Sequence, residues 1–304
     1  MKIKHFKPLL LSVVALAFSL PATAALRVLA CEPEWGALAQ ELGGDKAEVS
    51  LATTARQDPH HVQAKPSLIA RARNADLLAC TGAGLEVGWL PILLQQSGNP
   101  KIQSGRPGNF AASDFVQKLD VPTRVDRSEG DVHPEGNPHI QTDPRNIGKV
   151  AVAMAQRFEQ IDPANHAVYQ KRAQDFAQRW NAALARWNAQ AAPLRGTPIL
   201  VQHKAWTYLE KWLGLQTLDA LEPKPGVEPT ASHLQEILAH QKGRPAQLIL
   251  YAAYQDPRSA EWLADRAKIP AVQLPFTVGG SAAAKDLFGL FDDTLARLLK
   301  GVKK

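Results

Sequence analysis

The sequence predicts an α/β protein with two parallel-sheet lobes joined by one long rigid helix. Three observations support this fold class. Short apolar runs alternate with amphipathic stretches, a pattern typical of βαβ units and parallel sheets. One long helix-favouring stretch interrupts that alternation near the middle of the chain. The chain has 304 residues, close to the size at which a single hydrophobic core divides into two domains.

The first lobe is predicted from three strand-like runs and two helical stretches, and we expect it to cover residues 25–160. The runs LRVLAC, AEVSLAT and ADLLAC are short and apolar, as expected for buried strands. The stretches EWGALAQELGG and PSLIARARN lie between them and have helical periodicity. Gly43 and Gly44 stand where the first helix should end, because glycine readily adopts the backbone conformation that closes a helix.

A long connecting helix is predicted after this lobe. Asp143 followed by Pro144, and Asp162 followed by Pro163, each combine an N-cap residue with a proline at the first helical position. The second start leads into a run, ending near Ala191, that contains almost no helix breaker. At about 1.5 Å per residue this helix would be roughly 40 Å long, which suits an element that ties two lobes together.

The βα alternation resumes after this helix and predicts the second lobe. TPILVQ and AQLILYAAY have the character of buried strands, and PAVQLPF that of a short final strand. TASHLQEILAHQK, SAEWLADRAK and AAKDLFGLFDDTLARLLKG have the periodicity of amphipathic helices. We therefore assign residues 161–194 to the connecting helix and residues 195–304 to the second lobe.

Residues 1–24 have the three parts of a cleaved secretory signal peptide. Three lysines accompany the apolar run PLLLSVVALAFSL, and an A-x-A cleavage signature ends at Ala24. The apolar run is too short to span a bilayer comfortably, so we expect an exported protein. A lipoprotein is the alternative, because VLAC, ending at Cys31, loosely resembles a lipobox. Arg27 and Leu29 depart from that pattern.

The charge pattern gives no sign of nucleic-acid binding. The formal charge is +6, and removal of the three leader lysines leaves +3. This excess is spread along the chain, and no basic cluster alternates with aromatic residues. We therefore expect no nucleic-acid partner.

The two cysteines, Cys31 and Cys80, are predicted to form a disulfide. Each ends a strand-like apolar run, and neighbouring parallel strands would place the two side by side. In an oxidising compartment a cysteine pair favours a disulfide over a metal site.

Three histidines lie in loops next to predicted strand or helix ends. His203 directly follows the run PILVQ, His60 follows AEVSLAT after a short loop, and His139 precedes the helix start at Asp143. A proline immediately before His60 and His139 stiffens the chain at both. Open α/β sheets bind ligands at the carboxyl ends of their strands, and neutral imidazoles suit Zn(II), which normally takes four ligands. These loops are therefore a candidate metal site.

Four segments resemble the motifs of one protein family, in that family's order. DPHHVQAKPS is similar to a D-P-H-x-x-x-x-x-P-S motif, and ADLLACTGAGLEVGWL to an apolar strand, a glycine turn and a Glu-x-x-Trp segment. NPHIQTDPRNIGKVAVAMA resembles an N-P-H-hydrophobic-x-x-D-P helix start, with Gln141 where tryptophan is common. VQHKAWTYLEKWLGL resembles an H-x-A-aromatic-x-Y motif. The family is that of the periplasmic zinc and manganese solute-binding proteins of metal ABC transporters.

The resemblance covers essentially the whole mature chain and implies a metal bound in the cleft between two lobes. It implies His60, His139 and His203 as the ligands and His61 as a solvated neighbour. Three nitrogen ligands favour Zn(II) over Mn(II), which prefers harder oxygen ligands. The resemblance further implies a periplasmic protein without catalytic activity that hands metal to an ABC permease and its ATPase complex. We also expect a monomer.

The resemblance leaves the fourth ligand open. The family's final apolar-Asp-Pro motif reads VQLPFTVGG here, with Leu274 before the proline, and Ala252 and Ala253 stand where an acidic residue is often found. The candidates are Asp256, Glu228, Asp286 and a water. The His/Asp-rich loop of many members is reduced to one extra histidine, His133, so we expect weak or no secondary metal capture there.

Several other functions compete with zinc import. A zinc-dependent hydrolase would use three histidines and an open fourth position to activate water, although the sequence contains no H-E-x-x-H motif. Relatives within the family include manganese-binding proteins. They also include adhesins and metallochaperones that deliver zinc to exported enzymes.

Overall fold

Two parallel β-sheets form the centres of two lobes, which confirms the predicted fold class. The computed structural model describes residues 25–124 and 130–302, so the predicted signal peptide at residues 1–24 lies outside the described residues. The strands are β1 (Leu26–Ala30), β2 (Ala47–Leu51), β3 (Leu77–Cys80), β4 (Asn109–Ala111), β5 (Pro198–Val201), β6 (Gln216–Ala220), β7 (Leu248–Ala252) and β8 (Ala271–Leu274). The first sheet has the order β2-β1-β3-β4 and the second the order β6-β5-β7-β8.

Burial explains which strands the sequence predicts and which it does not. All residues of β3 and β7 are buried, and both strands coincide with predicted apolar runs. Strands β4 and β6 were not predicted from the sequence. Both lie at a sheet edge, and their sequences, NFA and QTLDA, lack a continuous apolar run.

Nine α-helices surround the sheets in the described part of the chain. They are α1 (Pro33–Gly43), α2 (Pro66–Asn74), α3 (Leu90–Ser97), α4 (Pro144–Ile161), α5 (His166–Gln190), α6 (Thr207–Leu213), α7 (Ala231–His240), α8 (Arg258–Ala267) and α9 (Leu287–Val302). The predicted start of α4 is confirmed, because the Asp143 carboxylate accepts a hydrogen bond from the Arg145 backbone N–H. None of the helices in the described residues combines the length and the apolar character needed to cross a membrane.

The long helix α5 is fastened to both lobes. The Trp180 indole N–H donates to the backbone oxygen of Pro144 at the start of α4 (2.8 Å). The Trp187 indole N–H donates to the Asp292 carboxylate in α9 (2.6 Å). Both indoles are almost fully buried in one hydrophobic core that contains residues of both sheets. The helix therefore connects the lobes through packing along its whole length.

The start of the connecting helix differs from the prediction. Pro163–Asn165 form a short 3₁₀ turn, and α5 begins at His166. The Asp162 carboxylate accepts hydrogen bonds from the Tyr169 hydroxyl (2.6 Å) and the Asn165 amide (2.8 Å). It makes no bond to the backbone of the first turn of α5. The Asp-Pro signal is wrong here because side chains, rather than helical N–H groups, use this carboxylate.

The predicted disulfide is present at the carboxyl edge of the first sheet. Strands β1 and β3 pair in parallel, and Cys31 and Cys80 lie at the ends of these two neighbours with Cα atoms 4.7 Å apart. Both residues are buried among Trp89 and other apolar side chains of the first lobe. The disulfide joins the two strands next to the interlobe cleft.

Candidate metal centre

The structure brings His60, His139 and His203 together in the cleft between the lobes. His60 lies in the loop between β2 and α2, His139 just before a 3₁₀ turn that leads into α4, and His203 two residues after β5. Their exposed fractions are 7, 1 and 5 %. One ligand nitrogen of each lies within 4.8 Å of those of the other two, and the ring centroids are 5.3–5.7 Å apart. The spacing suits a shared ion, and their role as metal ligands stays a prediction.

Two carboxylates orient two of these rings, one in each lobe. Asp58 Oδ1 lies 2.7 Å from His60 Nδ1, and Glu222 Oε2 lies 2.7 Å from His203 Nδ1. A carboxylate is an acceptor, so each Nδ1 carries a proton, and the neutral form of each ring keeps a lone pair on Nε2. Partial burial opposes ionisation of Asp58, but its contacts with His60 lower the pKa of this carboxyl group. Metal-binding histidines in proteins are typically held in this way.

His139 is the most deeply buried of the three and has no carboxylate partner. Neither ring nitrogen has a hydrogen-bond partner among the described residues. Burial, together with nearby His60 and His203, holds the pKa of His139 well below its usual range, so the ring is neutral. A buried polar group without a partner is costly, and a metal ion would satisfy it. This ring therefore fits a ligand role.

Asn137 positions His139 and also links the lobes. Its side-chain oxygen accepts from the His139 backbone N–H (3.0 Å). Its amide nitrogen donates to the backbone oxygen of Lys204, the residue after His203 (2.8 Å). One side chain thus couples the first-lobe loop to the second-lobe loop. The asparagine of the N-P-H segment thus makes a contact in this chain that spacing along the sequence does not reveal.

A fourth histidine, His133, lies beside the cluster, which the sequence did not indicate. Its ring centroid is 5.3 Å from that of His60 and 6.4 Å from that of His139. Burial, followed by the effect of nearby His60 and His203, lowers the pKa of His133 to about 4. The ring is therefore a neutral imidazole at neutral pH. His61, by contrast, is 69 % exposed, as expected for a solvated neighbour.

Three carboxylates were predicted as possible fourth ligands: Asp256, Glu228 and Asp286. Within the part of the chain that the structure describes, none of them belongs to the cluster of the three histidines. Asp256 accepts from the Arg258 backbone (3.0 Å) and guanidinium (2.7 Å) and lies at the rim of the cavity. Glu228 is exposed on the same rim. Asp286 accepts from the Gly289 backbone N–H (2.7 Å) at the start of α9.

A cavity of about 630 Å³ opens onto His60 and His203 from solvent. Five carboxylates line it: Asp58, Asp131, Glu222, Glu228 and Asp256. The lining is predominantly acidic, with Arg258 as its only Lys or Arg side chain among the described residues. A cleft lined by one sign of charge raises the local concentration of the opposite charge. The cavity therefore favours approach of a cation to the histidines.

Comparison with known sequences assigns the chain to a family. A sequence profile for "Zinc-uptake complex component A periplasmic" (ZnuA) matches residues 28–301. The chain belongs to the ZnuA family. This match confirms the resemblance drawn from the histidine motifs. All three histidines of the cluster lie within the matched residues.

Curated relatives of the ZnuA family are distant in sequence. The high-affinity zinc uptake system protein ZnuA of Paracoccus denitrificans is 24 % identical over 253 residues, which are 72 % of this chain and 74 % of that protein. The protein of the same description from Brucella abortus is 25 % identical over 130 residues, 43 % of this chain. In that match this chain spans only 39 % of the relative's length.

Solved structures of ZnuA-like proteins share the fold. A crystal structure of ZnuA superposes with a TM-score of 0.73 at 19 % identity, covering 90 % of this chain and 99 % of that one. The laminin-binding adhesin Lmb of Streptococcus agalactiae superposes with a TM-score of 0.72 at 22 % identity, covering 90 % of this chain and all of that one. At these identities the likeness shows the two-lobe fold, which agrees with the sheets described above.

Proposed function

We propose that this protein captures a zinc ion in the periplasm and delivers it to an ABC importer, a permease with its ATPase complex. His60 and His139 from the first lobe and His203 from the second would bind the ion. The observation that carries the proposal is the convergence of three buried imidazoles from two lobes. Two of them are oriented by carboxylates so that Nε2 is free.

The donor set favours zinc over manganese. The atoms that converge are nitrogens, and neutral imidazole nitrogen suits Zn(II) at about 2.0–2.1 Å. Manganese favours carboxylate, carbonyl and water oxygens. The two carboxylates nearest the rings, Asp58 and Glu222, are engaged with Nδ1 atoms. The names of the curated relatives, which describe zinc uptake and zinc binding, support the same cargo.

Zinc transport accounts for the site better than hydrolysis does. A hydrolase needs a general base beside the metal-bound water. Asp58 and Glu222, the carboxylates that reach the imidazoles, already accept hydrogen bonds from them. We expect the zinc-loaded protein to show no turnover of generic ester or phosphoester substrates. Activity above that of the His60→Ala variant would favour the enzyme instead.

Native mass spectrometry of the untagged protein tests the binding step. We expect one zinc ion per chain and a monomeric mass, with the zinc lost in the triple variant His60→Ala, His139→Ala and His203→Ala. His240→Ala is the matched control, because His240 is an exposed histidine on α7. Undiminished stoichiometric binding in the triple variant would overturn the proposed site. Delivery is tested separately by rescue of growth in zinc-chelated medium, which the triple variant should not support.

A further inference from the structure

The His133 ring faces the histidine cluster. Its Nε2 atom lies 3.3 Å from Nε2 of His60. His133, His139 and His203 also line one cavity of about 420 Å³. His133 therefore lies beside the His60 edge of the cluster, although it comes from a separate loop and is not one of the three residues whose ligand nitrogens all lie within 4.8 Å of one another.

Contacts at Nδ1 of each ring bear on whether the two facing Nε2 atoms carry protons. Nδ1 of His60 is held by the Asp58 carboxylate at 2.7 Å, so Nε2 of His60 carries a lone pair. Nδ1 of His133 lies next to Gly84, since a Cβ atom placed on this glycine would be 3.4 Å from it, and the Gly84 backbone acts to raise the pKa of the ring. If the neutral ring carries its proton on Nδ1, towards this backbone, Nε2 of His133 has a lone pair as well. Two lone pairs that face each other repel unless a proton or a metal cation lies between them.

The separation between these two atoms matches a zinc centre. Zinc–nitrogen bonds are about 2.0–2.1 Å long, so two nitrogens on a tetrahedral zinc are about 3.3 Å apart. The observed Nε2–Nε2 distance is 3.3 Å. A direct hydrogen bond between the two rings would instead require a second proton on one of them or the loss of a partner on Nδ1.

The loop that carries His133 is tied to the second lobe. The Asp131 backbone N–H donates to the backbone oxygen of Pro225 (2.9 Å). The Gly226 backbone N–H donates to Glu222 Oε2 (2.8 Å), the atom that also holds His203. The loops supporting His133 and His203 therefore contact each other. These hydrogen bonds hold the loop of His133 against the loop that supports His203.

We propose that His133 is the fourth ligand and completes an all-histidine tetrahedral site with His60, His139 and His203. This inference rests on the proposed zinc-binding function. Four imidazoles leave no open position on the ion, so no metal-bound water is available for activation. The site takes the place of the carboxylate or water expected from the resemblance. The loop that carries His133, for which the sequence predicts weak or no secondary metal capture, would then belong to the primary metal site.

X-ray absorption spectroscopy of the zinc-loaded protein tests the coordination directly. We expect four imidazole nitrogens in the unchanged protein, and three nitrogens with one oxygen in His133→Ala. We also expect the zinc dissociation constant of that variant to rise about tenfold to a hundredfold, because water replaces one imidazole. His61→Ala is the matched control, since His61 lies beside His60 but is exposed. It should change neither quantity.

The outcomes separate this inference from the proposed function. Three nitrogens in the unchanged protein, with the same spectrum and affinity in His133→Ala, would overturn the fourth-ligand assignment and leave zinc binding intact. Failure of the unchanged protein to bind zinc would overturn the proposed function and this inference together. Thermal unfolding of the metal-free variant should match that of the unchanged protein. This match ensures that a loss of affinity reports coordination rather than misfolding.

Discussion

The two lobes have the same strand order, yet they use equivalent positions for different purposes. The backbone N–H of Cys31 donates to Ala79 after β1, and that of Gln202 donates to Leu250 after β5, both at 2.8 Å. Cys31 is therefore equivalent to Gln202, and Glu32 is equivalent to His203. Parallel sheets present a ligand-binding crevice at this point, between the strands where the order reverses. His203 of the second lobe is a candidate metal ligand at this position, whereas Glu32 of the first lobe accepts hydrogen bonds from Thr81.

In the first lobe this crevice is closed by covalent and polar contacts. The Cys31–Cys80 disulfide bridges the two strand ends. Glu32 and Glu86 are buried behind it, and both accept a hydrogen bond from the Thr81 backbone N–H. Burial, and then the proximity of Glu86, raises the pKa of Glu32.

The first lobe therefore supplies His60 and His139 from loops outside its own crevice. The same sheet topology thus serves in one lobe as a structural support and in the other as the edge that carries a candidate metal ligand. The residues directly after the first strand of each lobe decide which.

The largest effect is expected when the crevice of the second lobe loses its histidine. In the proposed site His203 is the only ligand from that lobe, so His203→Ala should remove the contact that joins the lobes through the ion. We expect zinc affinity to fall at least about a hundredfold, or roughly 3 kcal/mol. Competition with a chromophoric chelator measures the change, and Glu228→Gln on the cavity rim is the control. An affinity within tenfold of the original would contradict this assignment.

Removal of the disulfide should show that the first crevice is a support. The double variant Cys31→Ser and Cys80→Ser should lower the free energy of unfolding of the metal-free protein by about 2–4 kcal/mol. Urea denaturation measures this change. Zinc affinity at 25 °C should stay within about twofold, because neither cysteine contacts the histidines in the proposed site. A folded variant that has lost zinc binding would show that the crevice of the first lobe also contributes to the metal site.

The buried acids of the first lobe should make stability depend on pH. Glu34, in the first turn of α1, accepts a hydrogen bond from Thr277 of the second lobe. Burial raises the pKa of Glu34 from 4.5 to about 7. Between these values the unfolded chain releases a proton that the folded protein keeps, so stability falls as pH rises through this window. At pH 8, Glu34→Gln should therefore be more stable than the unchanged protein by about 3 kcal/mol, with little difference at pH 4.

Thermal or urea unfolding at both pH values checks this pH dependence. Glu261→Gln, at an exposed position in the first turn of α8, is the control and should leave the pH profile unchanged. An equal stability change for Glu34→Gln at pH 4 and pH 8 would show that packing, rather than ionisation, is responsible.

The smallest effects on zinc affinity are expected from substitution of Asp58 and Glu222, the carboxylates that contact the histidine rings. The two effects should be similar in size. Asp58→Asn and Glu222→Gln each weaken the hold on one Nδ1 atom without removing a ligand. We expect zinc affinity to fall about tenfold to a hundredfold in each, as is typical for residues that orient metal ligands. Asp256→Asn, a carboxylate on the same cavity that is bound by Arg258, is the control. A loss in only one variant would show that one lobe alone needs its ring held.

Much of the fold could be predicted because it depends on local patterns. The central strands β3 and β7 are continuous apolar runs, and α4 begins at a capped Asp-Pro step. The edge strands β4 and β6 were missed because a neighbour in the sheet, rather than their own composition, makes them strands. The predicted helix start at Pro163 was wrong for a related reason, since Tyr169 takes the Asp162 carboxylate.

By itself the sequence determined the two α/β lobes, the disulfide pair and the three histidines at loop positions next to strand and helix ends. These follow from periodicity, from cysteine placement and from motifs, all of which are read along the chain. Only the tertiary structure decided which groups meet those histidines. Glu222 and His133 come from other loops of the same lobe as His203 and His60, respectively, and lie 2.7 and 3.3 Å from them only in the folded chain. Such contacts depend on how loops from separate strands fold against each other, which the spacing of residues does not encode.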